Sequence, residues 1–424
     1  MSATWPHALR ILARPGEAAL RVPWELPWHL PLEEWQGEWL VEVPRGVHRH
    51  VVRFVQSDGV LYALKELPEH LAHREYRLLR QLREDGLPAV APVAVFGRDD
   101  LPDILVTRYL EYSLPYRTLF AHIDAPTADG PSHQSRTLHD RLLDAQAMLL
   151  VRLHSVGFFW GDCSLSNTLF RRDAGALAAY VVDVETGERH DTLTDGQRAQ
   201  DLDTAEENVA GGLTNLQAEF GLPPDPDPIE AARDLRQRYE RIWDELTSAE
   251  EIRPNERHRL EARIRRLNEL GFDVEEVEVV TAPGGEHLLL TPVVVEQGHH
   301  RRRLQGLTGL SAQENQARSM LNDLANFRAS LLAKGEPPLP ESVVAYRWLN
   351  EIFEPTIAAI PEALRGKREA AELFHEMLEH KWQLSQQRGV EVSVQEGLAS
   401  YVDTVLPQAH DEATASLPRR PASF

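Results

Sequence analysis

The stretch HSVGFFWGDCSLSN occupies residues 154–167 and follows an apolar helical pattern. Gly157 and Gly161 are turn-forming residues, so Asp162 is predicted to lie in a loop at the end of a helix. A carboxylate in such a loop can orient a hydroxyl group and accept its proton. Asn167 follows Asp162 by five residues, where its amide oxygen can bind magnesium, an ion that prefers oxygen ligands. This loop indicates a catalytic site.

Two other stretches complete the pattern. LYALK at residues 61–65 is an apolar strand that ends in a lysine, and VVDVE at residues 181–185 is an apolar strand that ends in acids. Asp183 and Glu185 are two positions apart, so they project to the same side of an extended chain. With Asn167 they would hold a magnesium ion, Glu185 as an optional further ligand. Taken alone, each stretch is also typical of solvated side chains at a strand end; their order and spacing together indicate a nucleotide phosphotransfer site.

Lys65 is predicted to reach the phosphates of a nucleotide. Ala63 shares its face of the strand, because strand side chains alternate, and a small residue there lets adenine lie against the sheet. In the helix that follows, Glu75 lies three residues before Leu78, on the apolar stripe. A carboxylate that faces inward needs a cationic partner, so we predict an ion pair between Glu75 and Lys65. Glu69 is a competing partner, but it precedes the stripe.

The segment Arg108-Tyr109-Leu110 ends the last strand of this region. Its backbone groups can hydrogen-bond the edge of adenine if the segment links two lobes, so Tyr109 is a predicted nucleotide-binding residue. An ordinary strand end explains the segment equally well.

The surrounding pattern predicts a small β-rich lobe and then helices. Three strands of a meander are predicted, then a helix and two more strands, at 39–43, 50–55, 60–65, 89–96 and 104–109. A helix-rich stretch begins near Leu138, with an apolar stripe at Leu142, Ala145, Leu149 and Leu153.

The flanking segments differ in composition. Residues 1–38 are rich in tryptophan and proline and are predicted to form an irregular strap whose indoles pack on a neighbouring surface, or an arm that binds a partner. A proline-rich linker at 221–228 separates a kinase-sized region, 39–220, from an accessory domain, 229–410. That domain is predicted to hold a charged helical region to about residue 270, a β-hairpin at 274–280 and 287–295, and helices over 312–408. Residues 411–424 are predicted to be a frayed tail.

Composition excludes several classes of function. The chain has 424 residues and a formal charge of −21, which argues against general binding to nucleic acid or to an anionic membrane. The single cysteine, Cys163, excludes an intramolecular disulfide. No apolar run is long enough for a signal peptide or a membrane span. We therefore expect a cytoplasmic protein.

The motif set resembles the bacterial lipopolysaccharide kinase (Kdo/heptose kinase) branch of the protein-kinase-like superfamily, over roughly residues 40–215. The resemblance implies an α+β, bilobal fold with a β-rich N-lobe and a helical C-lobe, and the use of ATP and magnesium. It implies that Lys65 binds the phosphates, that Glu75 orients Lys65, and that Asp162 is the catalytic base. Asn167 and Asp183 would bind the metal. The stretch Arg198-Ala199-Gln200-Asp201-Leu202 also resembles the family's Asp-Leu helix start, which implies that Asp201 braces the catalytic loop.

Three features depart from that family. No Gly-x-Gly-x-x-Gly turn lies between the first strands; the turn at residues 44–50 is basic instead, and we predict that Arg45 and Arg49 contact phosphates. Trp160 stands where such kinases often carry a histidine. Asp183-Val184-Glu185 replaces Asp-Phe-Gly, so a mobile phenylalanine switch is not implied.

The second half carries no comparable constellation. His375 and His380 are five residues apart, so they diverge by about 140° around a helix and do not form a zinc pair. The basic run at 299–303 is typical of a solvated loop, and less so of an anion site. The acceptor hydroxyl is not specified. Two alternatives to phosphoryl transfer stay open. The chain could be a catalytically silent nucleotide-binding module whose second half binds a protein partner, or it could transfer a nucleotidyl group.

Overall fold

The computed structural model describes residues 9–13, 25–43, 50–116, 119, 138–221, 227–248, 250–252, 262–263, 266–267, 272–281 and 288–412. These residues divide into two compact units: one holds the chain up to Phe170 together with Ala179–Tyr239, and the other holds Arg171–Ala178 with the chain from Glu240 onward. The mixture of strands and helices confirms the predicted α+β class.

The first unit begins with an antiparallel sheet. Its strands are β1 (Arg10–Leu12), β2 (Leu40–Val41), β3 (Val52–Ser57), β4 (Val60–Leu67), β5 (Ala91–Gly97) and β6 (Asp103–Arg108). They are arranged in the order β1-β5-β6-β4-β3-β2. The predicted lobe had five strands; the sixth, β1, comes from the N-terminal strap and pairs with β5.

The turn between β3 and β4 fixes the register of this sheet. Ser57 pairs with Val60, so the loop contains only Asp58 and Gly59, both of which have positive φ angles of 48° and 77°. This backbone matches the twist of the flanking strands. With that register, Ala63 lies opposite Phe54, and Lys65 lies opposite Val52.

The tryptophan-rich strap packs on one face of the sheet. Trp28 and Trp35 are each 2% exposed, and the Trp28 ring stacks on Phe96 with 4.1 Å between centroids. Burying an aromatic side chain of this size contributes about 2–3 kcal/mol. Trp28 and Trp35 therefore pack as predicted, in a core shared with the sheet, and Trp5 and Trp24 lie outside the described residues.

Helix α1 (Glu69–Glu84) follows β4. Its buried residues include Ala72, Tyr76, Leu79 and Leu82, at helical spacing, and Glu75 lies among them.

Helices and short strands make up the rest of the first unit. The helices are α2 (Leu138–Ser155), α3 (Asp195–Phe220) and the first part of α4 (Pro228–Thr247). The strands are β7 (Leu114–Pro115), β8 (Phe158–Phe159), β9 (Thr168–Asp173), β10 (Ala176–Val181) and β11 (Glu188–Arg189). The four predicted stripe residues of α2 are all buried.

Within the described residues, the second unit contains a three-stranded sheet, α-helices, a π-helix (Leu349–Phe353) and a 3-10 helix (Leu406–Gln408). The strands are β12 (Glu250–Ile252), β13 (Phe272–Thr281) and β14 (Leu288–Gln297); the helices are α5 (His299–Thr308), α6 (Glu314–Ala333), α7 (Glu341–Trp348), α8 (Glu354–Ala359), α9 (Glu362–Arg365), α10 (Ala370–Arg388) and α11 (Val394–Thr404). The hairpin of β13 and β14 was predicted. The charged helical region predicted to about residue 270 contains α4, which ends at Thr247, then β12, and then helical residues at 262–263 and 266–267.

The two units divide at other positions than the predicted domains. Residues 228–239 belong to the first unit, because Arg238 forms ion pairs with Asp140 and Asp144 of α2. The tip of the β9–β10 hairpin belongs to the second unit, where the Asp173 carboxylate accepts hydrogen bonds from Asn315 Nδ2 at 3.0 Å and the Gln316 N–H at 2.9 Å. Glu412 was predicted to lie in a frayed tail, but it is buried and paired with Arg172.

Candidate active site

One cavity of about 740 Å³ in the first unit collects almost all of the predicted site residues. Those that line it are Ala63, Lys65, Glu75, Tyr109, Asp162, Asn167, Asp183 and Glu185. Arg45 and Arg49 lie outside the described residues. Side chains that are more than a hundred positions apart in the chain thus meet in one place.

Lys65 lies at the centre of a cluster of acids. Its Nζ donates to Glu75 Oε2 at 3.0 Å and to Asp183 Oδ2 at 2.6 Å, and it lies 3.7 Å from Glu185 Oε2. Burial by itself lowers the pKa of Lys65, but the carboxylates of Glu75 and Asp183 outweigh it, so the pKa is raised. The lysine is therefore a fixed positive charge at neutral pH.

Glu75 reaches this cluster from the apolar face of α1, where it is 1% exposed. Burial, followed by the nearby Asp183 carboxylate, raises the pKa of Glu75 to about 8, and the Lys65 ammonium opposes this shift. Keeping Glu75 ionised beside the Lys65 ammonium therefore costs free energy, because burial favours the protonated carboxyl group. The Nζ–Oε2 distance of 3.0 Å is that of an ordinary hydrogen bond, which Lys65 donates to Glu75.

The same acids form a cluster that suits a hard cation. Carboxylate oxygens of Glu75, Asp183 and Glu185 lie within 4.8 Å of one another. Oxygen donors are the ligands that Mg²⁺ prefers, and a divalent cation would relieve the repulsion among three carboxylates that share one ammonium. These residues therefore fit a magnesium ion. Asn167, the other predicted ligand, lines the same cavity and accepts a backbone bond from Val182 at 3.1 Å.

Asp162 is held from two sides. Asn167 Nδ2 donates to Asp162 Oδ2 at 3.0 Å and to the Asp162 carbonyl oxygen at 3.0 Å. From α3, Asn208 Nδ2 donates to Asp162 Oδ1 at 3.0 Å and to the Cys163 carbonyl oxygen at 3.1 Å. Because Asn167 Nδ2 faces Asp162, the amide oxygen of Asn167, which is the atom predicted to bind metal, lies on the side of the amide group away from these two hydrogen bonds. Sequence reasoning missed Asn208, because nothing in a helical pattern marks one asparagine.

Asp201 braces the loop that carries Asp162. Its fully buried carboxylate accepts hydrogen bonds from the Trp160 N–H at 2.7 Å and the Gly161 N–H at 2.8 Å. His154 Nε2 lies 3.0 Å from the same carboxylate. Asp201 was predicted for this task at a helix start, but α3 begins six residues earlier, at Asp195.

Trp160 and His154 are structural residues of this site. The indole Nε1 of Trp160, where a histidine is usual in such kinases, donates to the carbonyl oxygen of Asp183 at 2.8 Å. It thereby links the Asp162 loop to the strand end that carries Asp183. His154 is buried and its second ring nitrogen lies 2.7 Å from the Tyr239 hydroxyl.

Two glycines shape the loop as the sequence predicted. Gly157 and Gly161 have φ angles of 76° and 74°, a conformation that side chains disfavour. A Cβ at Gly157 would also overlap the carbonyl oxygen of His190. The chain can therefore turn here only without a side chain.

In the predicted hinge, the segment 108–110, one backbone N–H group already has a hydrogen-bond partner in the sheet. The Tyr109 N–H donates to the Leu61 carbonyl oxygen at 2.9 Å, as an extension of the β4–β6 pairing. This N–H is therefore not available to adenine, and the other backbone groups of the segment 108–110 stay the predicted contacts. The side chain of Tyr109 still lines the cavity, where its ring packs edge-on against Phe54.

His50 is a second residue that the sequence did not single out. Its Nε2 lies 2.9 Å from Glu185 Oε2, and its ring lines the cavity. It is the last residue of the basic turn at 44–50, which stands where the family has its glycine loop. Its only signal was its place in that turn.

Other candidates are resolved by burial and contacts. Burial raises the pKa of the Cys163 thiol, and Gln146 Nε2 donates to its sulfur at 3.0 Å, so the thiol is passive. His375 and His380 bond different serines, Ser319 and Ser400, as expected for residues that do not share a metal. The basic run at 299–303 lies in the first turns of α5.

Comparison with known families supports this geometry. Residues 55–216 match the model of the lipopolysaccharide kinase (Kdo/WaaP) family. The resemblance to that family is confirmed. A separate match covers residues 241–406, which correspond to a domain of unknown function (DUF4032). No curated protein matches the chain.

Solved structures give weaker similarities. "WaaP in complex with acyl carrier protein" has a TM-score of 0.35 and 19% identity, and the match covers 55% of this chain and 98% of that one. An aminoglycoside-3'-phosphotransferase of type VIII has a TM-score of 0.33 and 18% identity, with 48% of this chain and 86% of that one covered. Because both TM-scores lie below 0.5, no conclusion about function rests on them. Among the described helices, none combines the length and the apolarity needed to cross a bilayer.

Proposed function

We propose that this protein transfers the γ-phosphoryl group of ATP to a hydroxyl group, in a magnesium-dependent reaction. The observation that carries the proposal is the convergence of Lys65, Glu75 and Asp183 in the cavity that also holds Asp162 and Asn167. Phosphoryl transfer requires little covalent chemistry from a protein, so positioning and charge stabilisation account for most of catalysis.

Each residue has a task that follows from its contacts. Lys65, oriented by Glu75, binds phosphate oxygens and stabilises the negative charge that spreads over them in the transition state. Asp183 and Asn167, with Glu185 as a further ligand, would hold magnesium. When bound, magnesium neutralises phosphate charge and orients the phosphates.

Asp162 positions the acceptor. Its carboxylate accepts one amide hydrogen bond on each oxygen, and a carboxylate has about four lone-pair sites. One of the remaining sites can accept a hydrogen bond from the acceptor hydroxyl and take its proton during transfer. The two amides fix the carboxylate beforehand, so no ordering is needed when the acceptor binds.

The nucleotide base is assigned to the sheet. Ala63 has a small side chain that lines the cavity and leaves room for adenine. The backbone carbonyl groups of Arg108–Leu110 would accept hydrogen bonds from the edge of the adenine ring. Arg45 and Arg49 remain predicted phosphate contacts. If the double alanine variant of these arginines binds ATP as tightly as wild type, that assignment is wrong.

The test is turnover with an extract as the source of acceptors. Purified protein is incubated with γ-labelled ATP, magnesium and a small-molecule extract, and labelled products are identified by mass spectrometry. Wild type should form a phosphorylated product, and Asp162→Asn should lower the rate by about 10²–10⁴-fold while binding ATP. Asp99→Asn, an exposed acid outside the cavity, is the matched control.

A silent nucleotide-binding module is the second candidate. The turn between the first strands lacks the Gly-x-Gly-x-x-Gly pattern, and this absence favours the silent module. Binding of ATP without product in either wild type or Asp162→Asn would support this module, with its second half binding a protein partner. A product that carries a nucleotidyl group would instead indicate nucleotidyl transfer.

A further inference from the structure

The cavity extends along one face of α3, beyond the residues that would hold the nucleotide. The residues of α3 that line it recur at spacings of three or four and so share one side of the helix: Glu207, Asn208, Gly211, Gly212, Asn215 and Glu219. We call this surface the α3 wall. The described basic residues of the cavity, His50, Lys65 and Arg108, all come from elsewhere.

The α3 wall adjoins the carboxylate proposed to meet the acceptor. Asn208 Nδ2 donates one hydrogen bond to Asp162 Oδ1 at 3.0 Å and another to the Cys163 carbonyl oxygen at 3.1 Å. What Asn208 can offer a ligand is therefore its acceptor oxygen. A molecule that reaches Asp162 along this wall meets mostly oxygen acceptors, because besides Asn208 it passes two carboxylates and the amide group of Asn215.

Two glycines in the middle of α3 have no explanation in the packing of the chain. A glycine in a helix interior costs about 0.5–1 kcal/mol relative to alanine. A Cβ at Gly211 would meet nothing within 4 Å, and one at Gly212 would meet only Leu165 Cδ1, at 3.9 Å. Neither has a positive φ. Alanine would fit both positions. The effect of the two glycines is therefore to leave the cavity wider beside α3.

The charge of the α3 wall restricts what can occupy that space. Glu207 and Glu219 are exposed acids that line the cavity from α3, and carboxylates only accept hydrogen bonds. A ligand that is itself a carboxylate or phosphate would be repelled. A ligand with hydroxyl or ammonium groups would find partners.

We propose that the α3 wall is the acceptor subsite, and that the acceptor is a neutral or positively charged compound with several hydroxyl or ammonium donors. This inference rests on the proposed phosphotransferase function and adds the class of substrate to it. Asn208 is a positioning residue in this account, because it fixes Asp162 and presents one acceptor atom beside it.

The test uses three probes of equal size and different charge: glucosamine, glucose and glucuronate. Binding to the full chain loaded with magnesium and AMP-PNP is measured by ligand-observed NMR titration. We expect glucosamine and glucose to bind more tightly than glucuronate. Replacing Glu207→Lys and Glu219→Lys together should shift the ratio of the glucosamine and glucuronate dissociation constants about tenfold toward glucuronate, because exposed charges each contribute little.

The control carries the same change of net charge elsewhere. Glu230→Lys with Glu240→Lys alters two exposed acids on α4 that do not line the cavity, and the ratio should not move. Equal or tighter binding of glucuronate to wild type would overturn the inference. So would an unchanged ratio in the α3 variant, or no binding of any probe. Failure of AMP-PNP to bind would refute the proposed function instead, and it is measured separately.

The glycines give a second, independent test. Gly211→Ala should raise the melting temperature by about 1–2 °C yet weaken glucose binding at least threefold, with AMP-PNP affinity unchanged. Gly196→Ala lies in the same helix, also meets nothing within 4 Å, and does not line the cavity. Because Gly196 lies in the first turn, where the gain in helix propensity is smaller, its change should raise the melting temperature by no more than Gly211→Ala does and leave glucose binding unchanged. Equal glucose binding in the two variants would show that the space at Gly211 is not used.

Discussion

Replacing Asp201→Asn should loosen the loop that carries Asp162. The carboxylate accepts the Trp160 N–H at 2.7 Å on one oxygen and the Gly161 N–H at 2.8 Å on the other, with no exposure to solvent. An asparagine retains one acceptor oxygen, so one backbone N–H must face an amide NH₂ group. A lost charge-assisted hydrogen bond costs about 1.5–3 kcal/mol and an unpaired buried donor adds about 1–3 kcal/mol. We expect a loss of about 3–5 kcal/mol in all, the range measured when buried pairs are broken.

Two measurements report this change. Calorimetry should show a lower melting temperature, and hydrogen exchange should show faster exchange of the Trp160 and Gly161 amides. Turnover should fall while ATP affinity changes little, because the loop positions Asp162. Asp195→Asn, in the first turn of the same helix with a side chain 97% exposed, should change stability by less than about 0.5 kcal/mol. Unaltered melting and unaltered exchange in Asp201→Asn would refute the bracing role.

Three further predictions concern the buried groups of the site. Lys65→Met should weaken Mg·ATP binding by about 10–100-fold, measured by calorimetric titration, because a charge-assisted bond to phosphate is lost. For Glu75, burial and then Asp183 raise the pKa from 4.5 to about 8; between these values the unfolded chain loses the proton that the folded chain keeps, so stability should fall as pH rises. The drop in melting temperature of the ligand-free protein from pH 5 to pH 8 should be smaller in Glu75→Gln, and an equal drop would contradict this. Cys163, fully buried with a raised pKa, should react with a thiol reagent only after denaturant is added; rapid labelling of native protein would contradict its passive role.

Patterns with a clear period were readable from the sequence. The alternation in β4 places Ala63 and Lys65 on the cavity side, and the helical stripe of α1 turns Glu75 inward. The Lys65–Glu75 pair follows from these two periods, because an inward carboxylate needs a cation. The approach of Asp183 to Lys65 depended on the order of the motifs and on the family resemblance.

Features that no periodic pattern of residues marks could not be predicted from the sequence. Strand β1 is three residues long and exposed, so it has no alternation to detect. Asn208 occupies an ordinary helix position, and only the fold brings it to Asp162. No pattern in the sequence marks Asp173, whose carboxylate is buried in the second unit and accepts a hydrogen bond from the Gln316 N–H. Tyr109 fitted a hinge by position, and the strand pairing that uses its N–H depends on tertiary register.

A structure of the protein with magnesium and AMP-PNP tests the central claim most directly. The account predicts that the triphosphate lies in the 740 Å³ cavity, with Lys65 on phosphate oxygens, a metal ion on Asp183 and Asn167, and Asp162 facing the γ-phosphate. A nucleotide bound in another cavity, or phosphates that contact neither Lys65 nor a metal on Asp183, would contradict it.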